Sequence, residues 1–142
     1  MSFARLREQD GLIHNSIKIF VVVVVFFVVL LDSISLFAGQ RTLRGNVYDA
    51  AVAASDTYGT SASPNEAQAR ATATAFLQSK GDQMLAGGFS VQPAGGQNLS
   101  FSVTGTRHVK TYVAHYLTSM PGIGDTMKRW LDPVETGTSV RQ

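Results

Sequence analysis

The groups that could do chemistry in this chain are few and badly placed for it. There are three His and no Cys. His108 and His115 stand seven residues apart, which on a helix is two turns or about 10 Å, too far to share one metal ion. They are read as surface or hydrogen-bonded histidines, and His14, ahead of a long apolar run, as marking a membrane interface. Ser and Thr are plentiful, but nothing gathers a nucleophile, a base and an orienter as hydrolytic catalysis requires. The glycines of "PAGGQN" do not open a capped helix carrying Lys, so no phosphate loop is read there. Without Cys there is neither a disulfide framework nor a thiolate metal site. Met84, Met120 and Met127 are expected to fill core space, and "NLS" at Asn98 matches a glycosylation acceptor only formally. A net charge of +2, with 15% charged residues, is too weak and too scattered for a nucleic-acid partner. No catalytic residue, metal or cofactor is expected, and the chain is read as non-enzymatic.

One carboxylate is placed unusually. Ile19 to Leu31 is an unbroken run of thirteen apolar residues, and Asp32 follows it directly. A helix needs about 20 residues to cross about 30 Å of hydrocarbon. The expected span therefore covers residues 17–38 and takes in Asp32. A carboxylate facing lipid there costs several kcal/mol, so Asp32 sits at the membrane–water boundary or meets a neighbouring subunit within the membrane. A cleavable signal peptide is the alternative to an anchor, but cutting after Ala38 puts Leu36 at the minus-three position. The pattern beyond the run favours the anchor. Leu36, Leu43, Val47, Ala50, Ala54 and Tyr58 fall on one helical face, in phase with the span, as if one helix continued out of the bilayer. Arg5, Arg7 and Lys18 before the apolar run against Arg41 and Arg44 after the span give a slight positive-inside bias. The chain then divides into a cytoplasmic N-terminus (1–16), a transmembrane helix (17–38) and an exported α+β domain (39–142).

Within that domain the first helix is expected to stop near Tyr58 at Gly59. Ala50, Ala51, Ala53 and Ala54 near its end admit close approach of another helix, either the chain's own second helix or another subunit. That second helix is read with Ser63 as N-cap, Pro64 at the first helical position and Glu66 completing a capping box. Ala67, Ala71, Thr74 and Ala75 are its expected packing face, and Gly81 its end. "FSVQ" and "LSFSVTG" alternate strictly, placing Phe89, Val91, Leu99, Phe101 and Val103 on the covered face of a hairpin. "RHVKTYVAHYLTSM" returns to helical spacing and is expected to form a third helix. Trp130 and Leu131 are expected to tuck against the core, as are Tyr112 and Tyr116; the alternative for Tyr112, Tyr116 and Trp130 is to line a binding site. Residues 134–140 are an edge strand at best, because of Pro133 and Gly137.

A short basic N-terminus, an apolar span, "SLFAGQRTLRGNVYDAAVAASDTYG", the Ala-rich "NEAQARATATAFL" and the strands "FSVQ" and "LSFSV" together resemble the TadE/TadG-like proteins of Tad (Flp-type) pilus assembly. The resemblance covers roughly Asp10 to Val113 and rests mostly on composition in order. It implies a pseudopilin-like or minor-pilin component in the bacterial cytoplasmic membrane, single-pass, with its N-terminus inside and its C-terminal domain outside. It further implies other pilus or membrane subunits as partners through the N-terminal helix, in a homo- or hetero-oligomer, within the lipid bilayer. Asp32, Asp49, Ala50, Ala51 and Ala54 become candidate assembly contacts. Members of such systems are cut after a Gly with Glu at the fifth mature position. Gly11 is the only Gly before the span, and Ser16 stands where that Glu would be. The alternative reading is a membrane-anchored envelope module that binds a partner protein or ligand.

Overall fold

Residues 4–60 form one helix, α1 (Ala4–Thr60). In the computed structural model the backbone is described for residues 4–60, 65–95 and 97–141, and side chains for those from residue 15 onward except Thr60. From Ile17 through Phe37 α1 is mostly apolar and largely exposed, with the buried Asp32 as the exception. Among the described residues it is the one helix long and apolar enough to cross a membrane. The second half carries the expected stripe, with Leu43, Val47, Ala50 and Ala54 fully buried and Tyr58 packed beside them. Gly39 and Gly45 do not interrupt the helix. At Gly39 a β-carbon would strike Val109, so the missing side chain is what lets a later segment lie against α1 here.

The fold is α+β. α2 (Glu66–Ser79) is followed by β1 (Gln83–Pro93), β2 (Leu99–Thr106), a short 3₁₀ helix (Ala114–Ser119), α3 (Gly124–Leu131) and β3 (Val134–Arg141). The strands form an antiparallel sheet in the order β1-β2-β3. The predicted hairpin is present, with Val91 opposite Phe101 and Phe89 opposite Val103. β3 is the expected edge strand, paired along the whole of β2. α1 packs on α2, β2 and β3. The core between them is Leu43, Val47, Ala50, Ala51 and Ala54 from α1, Ala69, Ala73 and Leu77 from α2, and Phe89, Phe101 and Val103 from the sheet. The ring of Tyr58 meets Phe101 edge-on at 5.3 Å. Gly137 has a steric reason for its identity. A β-carbon there would run into the backbone of Val47 and Tyr48, so Gly lets the edge strand lie directly on α1.

Three local expectations are corrected. Asn65 is the N-cap of α2, its side chain accepting from the Ala67 N–H at 2.9 Å. The proposed cap residues Ser63 and Pro64 lie outside the described residues. The packing face of α2 is the opposite one. Ala69, Ala73 and Leu77 are buried, with Phe76 half-buried, while Ala67, Ala71 and Ala75 are exposed. The two large side chains set the face, because burying Leu and Phe removes far more apolar area from water than burying Ala. Last, residues 107–113 are not helical and only the single 3₁₀ stretch follows. Val109, Thr111 and Val113 are β-branched and weak helix formers, and several of the segment's N–H groups go to partners elsewhere in the chain.

Candidate functional site

Two buried carboxylates organise the molecule. Asp82, between α2 and β1, is 1% exposed. Asn46 Nδ2 of α1 donates to its Oδ2 at 2.6 Å. Arg107, just past β2, donates through Nε to Oδ1 and through Nη2 to Oδ2 at 3.1 Å. The same Nη2 donates to the Lys80 carbonyl at 2.9 Å. One carboxylate thus ties α1, the α2–β1 connection and the end of β2 together with a forked Arg pair.

Asp32 is 5% exposed, and among the described residues no cation is bonded to it. Its Oδ1 accepts the Tyr112 N–H at 2.6 Å; its Oδ2 accepts the N–H groups of Val113 and Ala114, both at 2.8 Å. The first N–H groups of a helix have no partner within it. Val113, at the N-cap of the 3₁₀ helix, makes no side-chain cap bond of its own. Asp32 serves as that cap from 80 residues away in the chain.

The segment it receives is an excursion from the sheet, residues 107–133, here called the lobe. The lobe leaves the end of β2, passes Gly39 at Val109, reaches Asp32 and turns through the 3₁₀ helix and α3. It closes where the Val109 N–H donates to the Leu131 carbonyl at 2.8 Å and Thr106 Oγ1 donates to the Pro133 carbonyl at 3.0 Å. The side chain of Leu131 is buried as expected. Trp130 is not: it is 58% exposed, with Tyr112 at 69% and Tyr116 at 66%. The core role read for these three aromatics is therefore overturned. Tyr112 and Tyr116 have helical spacing, but the Tyr112 N–H goes to Asp32 and both rings face outward, while Trp130 stands on the exposed face of α3. Met120 is exposed too, and Met84 is partly buried.

The remaining candidates separate. Ala50, Ala51 and Ala54 are fully buried in the chain's own core and offer no surface to another subunit, so intramolecular packing replaces the assembly-surface reading for them. Asp49 is exposed. Gly11 lies in the first turns of α1, whose side chains are outside the described residues. His108 Nδ1 lies 2.7 Å from Asp132 Oδ1, and the His115 ring lies against Tyr116 at 3.8 Å. Among the described residues no group of three or more His, Asp or Glu is arranged to hold a metal, and no buried side-chain polar atom lacks a partner.

The sequence carried one unread signal for Asp32. It lies on the same helical face as Leu36, Gly39, Leu43, Val47, Ala50 and Ala54, at spacings of four, three, four, four, three and four. It is the first residue of the covered stripe as well as the residue after the apolar run. A carboxylate in phase with a buried face calls for a partner within the fold. No known protein-family model, curated protein or solved structure matches this chain.

Proposed function

We propose that this chain is a non-enzymatic structural or assembly component anchored by a single span in a bacterial cytoplasmic membrane. In this reading it is a TadE/TadG-like, pseudopilin-like subunit of a Tad-type pilus or related secretion machine. The observation that supports this most is the unbroken helix α1, mostly apolar and exposed over residues 17–37 and packed against an α+β head beyond them. At 1.5 Å per residue its 57 residues extend about 85 Å. Such a stem holds its head at a fixed distance from the bilayer and leaves one apolar half free to meet lipid or the helices of other membrane subunits. The N-terminus inside and the head outside follow from the charge bias flanking the span.

The test is deletion of the gene followed by microscopy and shear recovery of surface pili. Loss of pili, restored by the intact chain, is the expected result. Normal piliation in the deletion strain sinks the pilus assignment. Intact mass of the protein recovered from membranes then separates a resident component from a processed one, since a chain beginning at Leu12 would mean cleavage after Gly11 in spite of Ser16.

A further inference from the structure

Asp32 sets the height of the lobe. It directly follows Leu31, the last residue of the apolar run, a displacement of about 1.5 Å along the helix axis. The backbone of Tyr112, Val113 and Ala114 is hydrogen-bonded to that carboxylate. These residues are thus held beside α1 at the level where its unbroken apolar surface ends. On the uncovered side of α1 that surface continues past this level, through Ile34 and Phe37, both exposed. The lobe's own exposed side chains beside Asp32 are Tyr112, Val113, His115 and Tyr116. Tyr carries an apolar ring with a polar tip, the residue type that collects at the boundary between hydrocarbon and water. Seven residues further along α1, about 10 Å beyond Asp32, Val109 packs on Gly39. Its neighbour Lys110 and the nearby Arg41 of α1 are both exposed, at a height where long cationic side chains can reach phosphates.

We propose that the lobe is a membrane foot, with Tyr112, Val113 and Tyr116 resting in the interfacial layer of the bilayer on the side of the head. This rests on the reading of α1 as a membrane span. The Asp32 cap then has a specific purpose. It satisfies three backbone donors in a segment that lies where water is scarce, and so allows irregular backbone to sit at the edge of the hydrocarbon. The foot fixes the tilt and height of the stem, because the chain meets the bilayer along two lines instead of one.

The full chain has one Trp, which makes the test direct. Trp130→Phe removes it, and Tyr112→Trp, Tyr116→Trp or Phe27→Trp then places a single reporter in the lobe or in the span. Each full-length variant is reconstituted into phosphatidylcholine–phosphatidylglycerol vesicles containing lipids brominated near the head-group end or near the methyl end of the chains. The lobe reporters are expected to lose most of their emission to head-group-end bromines and less to methyl-end bromines, and Phe27→Trp to show the reverse order. If Phe27→Trp is quenched while neither lobe reporter responds to bromolipid, the foot is overturned and the span stands. Lobe reporters shielded from both bromolipid and aqueous iodide overturn it in favour of a second protein surface. If Phe27→Trp itself is untouched by bromolipid, the span reading fails and the foot fails with it. Two lobe positions guard against one substitution unsettling the fold.

Discussion

Asp82 and Asp32 are both buried acids, and the chain satisfies them in opposite ways. Asp82 has a guanidinium and an amide, so its charge is neutralised by an opposite charge. Asp32 has three backbone N–H groups, so its charge is met chiefly by backbone dipoles. The difference matches what each holds. Asp82 joins three elements that also share the apolar core, so its loss leaves a largely buried cation with no partner. Asp32 joins α1 to the middle of a lobe that also approaches α1 where Val109 meets Gly39. Its loss frees N–H groups that belong in part to exposed residues. One carboxylate secures a core, and the other positions an appendage.

The comparison breaks most visibly at Asp82. Asp82→Ala strands Arg107, whose side chain is 21% exposed, and removes the bond to Asn46. Breaking a buried pair on one side costs about 3–5 kcal/mol, and the partial exposure of Arg107 places the expected loss at the lower end. Thermal melting in detergent, followed by circular dichroism of the sheet, should show the whole head destabilised. An unchanged melt would mean that the Asp82 cluster decorates a core that stands without it.

Gly137→Ala tests the same core without touching a charge. Its methyl group meets the backbone of Val47 and Tyr48, which cannot move aside as a flexible side chain can. Overpacking of this kind costs about 1–3 kcal/mol. The melt should fall, by less than for Asp82→Ala, while the lobe amides keep their protection from exchange. A neutral result would mean that β3 does not lie on α1 as closely as described.

These two sites also show what the sequence did and did not disclose. The period-two runs around Phe89 and Phe101 and the stripe from Leu43 to Tyr58 were legible, because one face of each is buried and the spacing records it. β3 was legible as an edge strand through Pro133 and Gly137. The buried face of α2 was misread, because alanines occur all round that helix and only Phe76 and Leu77 discriminate between faces. The lobe was misread for a different reason. Val109, Tyr112, Val113 and Tyr116 have helical spacing, but the N–H groups of Tyr112 and Val113 answer to an acid about 80 residues away and that of Val109 to the Leu131 carbonyl. Pairings between distant residues leave no periodic trace. The phase of Asp32 with the α1 stripe was the one local sign of that pairing.

Asp32→Ala should separate the two regions. Three N–H groups lose their acceptor, and a buried donor left unmade costs about 1–3 kcal/mol. Tyr112 and Val113 are exposed at their side chains, so water can replace part of that loss once the lobe lifts. The expected result is local. Amides 112–114 exchange faster by about tenfold or more, which corresponds to ~1.4 kcal/mol of local stability, while β2 amides and the melt of the sheet stay as in the parent chain. Asp32→Asn keeps one acceptor oxygen and should fall between the two. If Asp32→Ala lowers the melt as far as Asp82→Ala does, the lobe is part of the core and the contrast between the two acids is lost.

The smallest effect sharpens the same contrast. His108 and Asp132 also bridge two ends of the lobe, but their side chains are 67% and 53% exposed. Exposed pairs of this kind contribute about 0–1 kcal/mol, and one end of the pair sits beside Leu131, which is already buried. His108→Ala should therefore leave both the melt and the exchange of amides 112–114 within error. Should it instead release those amides as Asp32→Ala does, the lobe would be held by its own closure, and the carboxylate on α1 would be following the lobe's position instead of setting it.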